Sequence, residues 1–64
     1  MANTDAALVV TLLNRRKLAV GLYNDERVRI ISVSQDGLRY EIWIPSRQEE
    51  VWVLSDKVIV DVKE

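Results

Sequence analysis

Cysteine and histidine are both absent from this chain of 64 residues. Without cysteine there is no disulfide and no thiolate metal ligand to brace a small domain. Without histidine, the commonest metal ligand and the commonest general base are missing together. Glycine is scarce too: there are two, and neither belongs to a phosphate-cradling loop. No calcium-loop spacing appears. The nearest approach to a catalytic carboxylate pair is Asp25-Glu26, and adjacent residues on a turn do not converge on one substrate atom. These absences point away from an enzyme, and no cofactor is expected. No apolar run approaches the ~20 residues of a membrane span. The N-terminal Met1-Ala2-Asn3-Thr4-Asp5 lacks the basic start of a signal peptide. The expectation is a cytoplasmic protein with no membrane partner. Charge of one sign is lacking as well: nine Lys and Arg face ten Asp and Glu, for a net charge of −1. A general nucleic-acid binder carries a strong basic excess, and this chain could bind only through a local patch.

What the chain does have is apolar residues, 48% of the total. A chain this short makes one small domain that buries only about 60% of its unfolded surface. So high an apolar fraction implies either a dense core or an apolar surface covered by a partner. Residues 1–5 are polar and read as a loose N-terminus, and residues 6–64 read as one domain.

Three stretches read as β-strands separated by turn chemistry: Val28–Val33, Leu38–Ile44 and Val51–Val58. In the second, Leu38, Tyr40, Ile42 and Ile44 alternate inward, with Arg39, Glu41 and Trp43 outward. Pro45 ends its ladder, and the loop that follows is polar. Val51 and Val53 point inward, and Ser55-Asp56-Lys57 reads as a short turn of 3₁₀ type. Val58, Val60 and Val62 alternate in a last strand. Earlier, Leu18, Val20 and Leu22 share one face of a strand in which Gly21 marks a bend or a close backbone approach. Asn24-Asp25-Glu26 forms a turn. Within 27–33 the inward parity changes between Ile30 and Ile31, which a β-bulge there would explain. Asp36-Gly37 is the clearest hairpin signal, because it takes positive φ readily. The ambiguous stretch is 6–13, Ala-Ala-Leu-Val-Val-Thr-Leu-Leu. Its β-branched Val9-Val10-Thr11 favours a strand. Thr4 as a cap, Asp5 in the first turn and Arg15-Arg16-Lys17 after the last would suit a helix. As a strand it is apolar on both faces, one of them carrying Leu8, Val10 and Leu12, so a partner would have to cover the second face. The fold class predicted is all-β, a small barrel of about five or six short antiparallel strands, with the N-terminal segment strand or helix.

Trp52-Val53, the short turn and Val58 resemble the Trp-Val, 3₁₀ turn and last strand of SH3-like barrels. Gly21-Leu22-Tyr23-Asn24 is similar to that superfamily's Ala-Leu-Tyr-Asp opening. The resemblance covers roughly residues 20–62 and implies an SH3-like barrel. Only about three residues separate Tyr23 from the next strand, where peptide-binding members have a long acidic loop. Their cluster of aromatics for gripping a polyproline helix is also missing. A second resemblance is to the carbon storage regulator family of strand-swapped RNA-binding dimers. Leu12-Leu13-Asn14-Arg15-Arg16 is similar to the end of that family's first strand. The Gly-Glu that follows the arginine pair there is missing here.

Two surfaces are candidates for binding. Arg27, Arg29, Arg39, Trp43 and Trp52 are predicted to share the outward face of the sheet, with an arginine lying across from Trp43. Such a face suits a protein hot spot or the stacking of unpaired bases. The structural alternative is that Trp43 and Trp52 cover a thin core, helped by the arginine stems. Arg15, Arg16 and Lys17 form the only basic run; it could hold phosphates, or be a solvated turn. Leu8, Val10 and Leu12 are the predicted oligomer interface. Two functions follow. The first is a non-enzymatic interaction or assembly module whose partner is another subunit or a second copy of itself. The second is a small nucleic-acid-binding barrel using the basic turn and the Arg/Trp face.

Overall fold

A computed structural model of the chain describes residues 4–61, and the side chains of Thr4 and Asp5 lie outside that description. One helix, α1 (Thr4–Asn14), precedes five strands: β1 (Val20–Tyr23), β2 (Glu26–Val33), β3 (Arg39–Ile44), β4 (Glu49–Leu54) and β5 (Ile59–Asp61). A 3₁₀ turn, Ser55–Lys57, joins the last two strands as the sequence predicts. All pairings are antiparallel, in the order β4-β3-β2-β1-β5.

The segment favoured as a strand is therefore a helix. Ala6, Ala7, Leu8, Leu12 and Leu13 are good helix formers and outweigh the three β-branched residues. Thr11 satisfies its hydroxyl within the helix by donating to the Ala7 carbonyl at 3.0 Å. The exit is a Schellman motif. Arg16 takes the left-handed conformation at φ 58. Its amide donates to Leu13 O at 3.0 Å, and that of Lys17 to Leu12 O at 2.9 Å. The basic run thus turns the chain at the negative end of the helix, where cations are favoured. α1 starts at Thr4. The capping expected of Thr4 and Asp5 rests on side chains outside the described residues, as does the place of Val62.

The sheet is not closed into a barrel: β4 and β5 are its two edges. Closure is unnecessary here because α1 supplies the second layer. Ala6 and Val9 of the helix are buried with Val28, Ile30, Tyr40, Ile42, Ile44 and Val58, and Leu12, Leu13, Val33, Val51 and Val53 pack around them. A sheet covered on one face by a helix buries its apolar side without curling back on itself.

The predicted bulge is present. Ile30 pairs with Ile42 and Ser32 with Glu41, leaving Ile31 as the extra residue. The shift puts Val33 opposite the fully buried Tyr40, on the core face. In β1 the parity runs the other way from the apolar pattern. Ala19 and Gly21 are buried, whereas Leu22 is 40% exposed and Leu18 precedes the strand. The cause is steric. A Cβ on Gly21 would sit 2.7 Å from Ile59 O and 2.9 Å from Val58 Cγ1, so β5 approaches where only glycine fits. Leu38, expected inward, falls just before β3 and is 57% exposed.

The turns follow local chemistry. Asn24 and Asp25 both take positive φ, 50 and 63, as a two-residue type I′ hairpin requires. Gly37, at φ 75, closes the β2–β3 hairpin. There the Ser34 hydroxyl donates to Asp36 Oδ1 at 2.6 Å, the Leu38 amide donates to the same oxygen at 3.0 Å, and the Arg39 amide donates to Ser34 Oγ at 2.9 Å. The bonds from Ser34, first, and from the Leu38 amide hold the Asp36 carboxyl below the usual aspartate range. Buried Ser55 ties this hairpin to the 3₁₀ turn, its hydroxyl donating to Gly37 O at 3.0 Å. Glu26 ties the β3–β4 loop to the start of β2, accepting from the Ser46 amide at 3.0 Å and hydroxyl at 2.8 Å.

Candidate functional site

Strand alternation fixes what the outward face of the sheet carries. One row crosses all five strands: Glu50, Trp43, Arg29, Val20, Asp61. Arg29 is therefore the arginine opposite Trp43, as the sequence implied. A second row places Trp52 opposite Glu41 and Glu41 opposite Ser32. Arg39 faces Leu54 at the far end of β3. Arg27 lies towards β5 and donates to Asp61 at 3.4 Å, an exposed pair worth at most about 1 kcal/mol.

The five predicted face residues thus share one side of the sheet but not one site. Arg27 is engaged with Asp61, Arg39 sits by the hairpin, and Trp52 stands 52% exposed near the β4 edge. Arg29 and the half-buried Trp43 come together, and a third predicted residue joins them. Lys17 lines the same cleft, of about 410 Å³, with Glu50, Leu13, Ala19, Ile30 and Ile31. Arg15 and Arg16 are exposed on the helix exit beside it. Ala19 and Ile30 are buried and give the cleft an apolar base; Lys17, Arg29 and Glu50 put two positive charges and one negative charge around it. Among the described residues the ion pairs are Arg27–Asp61 and Arg47–Glu49, so these three charges are free to meet a ligand.

Glu50, Leu13, Ala19, Ile30 and Ile31 were not foreseen as part of a site. The signal for Ile31 was the bulge itself, which adds an extra residue to β2 beside the end of α1. Glu50 could have been found from register, since it pairs with Trp43.

Of the predicted interface, Leu8 and Val10 are exposed, at 36% and 40%, but Leu12 packs against the core. The three do not form one face, because helical residues two apart point about 160° away from each other. Leu8 and Val10 instead flank the buried stripe of Ala6 and Val9, with Ala7 and Thr11 exposed between them.

Among the described residues no group of three or more His, Cys, Asp or Glu is placed to hold a metal ion, and no helix is long and apolar enough to cross a membrane. Comparison with protein families, curated proteins and solved structures found no match.

Proposed function

We propose that this protein is a non-enzymatic assembly module that pairs with a second copy of itself through the outer face of α1. The observation that carries the reading is the composition of that helix. No charged residue occurs between Ala6 and Leu13, yet Ala7, Leu8, Val10 and Thr11 all face solvent. A surface helix of a monomer carries charges on its outer face, and one that is apolar all round is buried. The core covers only the Ala6–Val9 side, so a partner is needed for the other. A second copy supplies a face of the same shape and polarity, the condition for a two-fold interface. The SH3-like resemblance belongs to this proposal at fold level only. It rests on Trp52-Val53, the Ser55–Lys57 turn and Val58, on a sheet left open between β4 and β5.

Sedimentation equilibrium tests the pairing. The wild type is expected at twice the 7.4 kDa chain mass as concentration rises. Leu8→Asp and Val10→Asp are expected at the single-chain mass with unchanged circular dichroism, since both sites are exposed in one copy. A wild type that stays at the single-chain mass, or variants that keep the wild-type mass, would overturn the reading.

A further inference from the structure

Lys17 and Arg29 come from different elements, the helix exit and β2, and line one cleft with Trp43. The chain as a whole is acidic, at −1, so a cleft with two cations against one carboxylate is a local reversal of sign. Its parts are ordered. Trp43 sits between Glu50 on β4 and Arg29 on β2. Neighbouring strands lie ~4.8 Å apart, so the carboxylate-bearing and guanidinium-bearing backbones are about 10 Å apart, with the indole between them. A ligand that fits has a flat π-face in the middle, an anion at one end and a hydrogen-bond donor at the other.

We propose that this cleft binds an unpaired nucleotide of a single-stranded nucleic acid. The base stacks on Trp43, its phosphate lies against Arg29 and Lys17, and Glu50 accepts a hydrogen bond from an exocyclic amine. Stacking on an indole is available to every base, and cations flanking the ring hold the backbone. A paired base keeps its face inside the helix stack, so duplex is excluded. An acidic peptide would meet the two cations but would leave Trp43 without a flat partner and would bring its carboxylates towards Glu50. The cleft lies within one copy, so the inference goes beyond self-pairing and stands without it.

The test is fluorescence anisotropy with short, labelled single-stranded DNA homopolymers of adenine, cytosine and thymine. One phosphate neutralised predicts a log–log salt slope of about −0.7, or roughly threefold weaker binding for a fourfold rise in salt. The double variant Lys17→Gln, Arg29→Gln should weaken binding at least tenfold and flatten the slope. Both residues are exposed, so the fold should survive, which circular dichroism checks. Adenine and cytosine strands, which carry an exocyclic amine, should bind several-fold tighter than thymine, and Glu50→Ala should erase that difference. Quenching of tryptophan emission should persist in Trp52→Phe, which leaves Trp43 as the only indole. The proposal is overturned by no binding at low salt, by a double variant that binds as well as wild type, by equal binding of duplex, or by polyglutamate competing as effectively as the adenine strand.

Discussion

Replacing Gly21 by alanine tests the least forgiving contact in this fold. Gly21 lies in β1, and its φ is not in the left-handed region, so a side chain is excluded by space rather than by backbone conformation. An added Cβ would meet Ile59 O at 2.7 Å, Val58 Cγ1 at 2.9 Å and the Ile59 carbonyl carbon at 3.3 Å. The Val58 methyl can rotate away; the Ile59 backbone can move only if β5 does. That strand is three residues long and pairs with β1 alone, while Val58, just before it, is buried in the core. Overpacking of this kind costs about 1–3 kcal/mol. Against it, alanine restricts the unfolded chain and gains about 0.4–1 kcal/mol. The net loss is about 1–2 kcal/mol, or roughly 5–15 °C in Tm for a domain this small. Thermal and urea unfolding followed by circular dichroism would measure it. A Gly21→Ala protein that melts at or above the wild-type temperature would refute the close approach of β5 to β1.

Two further outcomes follow from the turns. Asp36 has a lowered pKa in the folded state, so its contribution to stability is present above the unfolded aspartate range and is lost as pH falls through the folded value. The Tm advantage of wild type over Asp36→Asn should therefore be constant near neutral pH and shrink below about pH 4; a gap that widens on acidification would contradict the hydrogen-bonded carboxylate. At the β1–β2 turn, Asp25 holds φ 63 in a type I′ hairpin. Asp25→Gly creates the preferred Asn-Gly pair and should raise stability by about 0.5–1 kcal/mol in chemical denaturation; a loss would mean the turn is of another type.

Much of the sheet was legible because alternation has a period of two and turns have specific chemistry. The inward Tyr40, Ile42 and Ile44, the bulge beside Ile31, the Asp36-Gly37 hairpin and the 3₁₀ turn were all readable in the chain. The choice between strand and helix for residues 6–13 was not, for a physical reason. A segment apolar on every side has no periodicity to read, and α1 is decided instead by the propensities of its alanines and leucines and by a cap in which Arg16 adopts a conformation usually left to glycine. Favouring the strand carried other expectations with it. A strand at 6–13 would have completed a barrel, and it would have put Leu8, Val10 and Leu12 on one face. The inward parity of β1 was also hidden, since the small residues face in and the large ones out. Of the candidate cleft, the pairing of Arg29 with Trp43 was within reach of register. The arrival of Lys17 was not, because it depends on where the helix exit lands against β2.

The central claim is that the outer face of α1 meets its own copy, and the absence of cysteine allows a direct measurement. Ala7→Cys places a single thiol on that face, and Gln35→Cys places one on the exposed β2–β3 hairpin as a control. Under mild oxidation the account predicts rapid disulfide-linked dimers from Ala7→Cys, slow or negligible linkage from Gln35→Cys, and loss of the Ala7→Cys product when Val10→Asp is added. Equal linkage at the two positions, or Ala7→Cys dimers that persist with Val10→Asp, would contradict it.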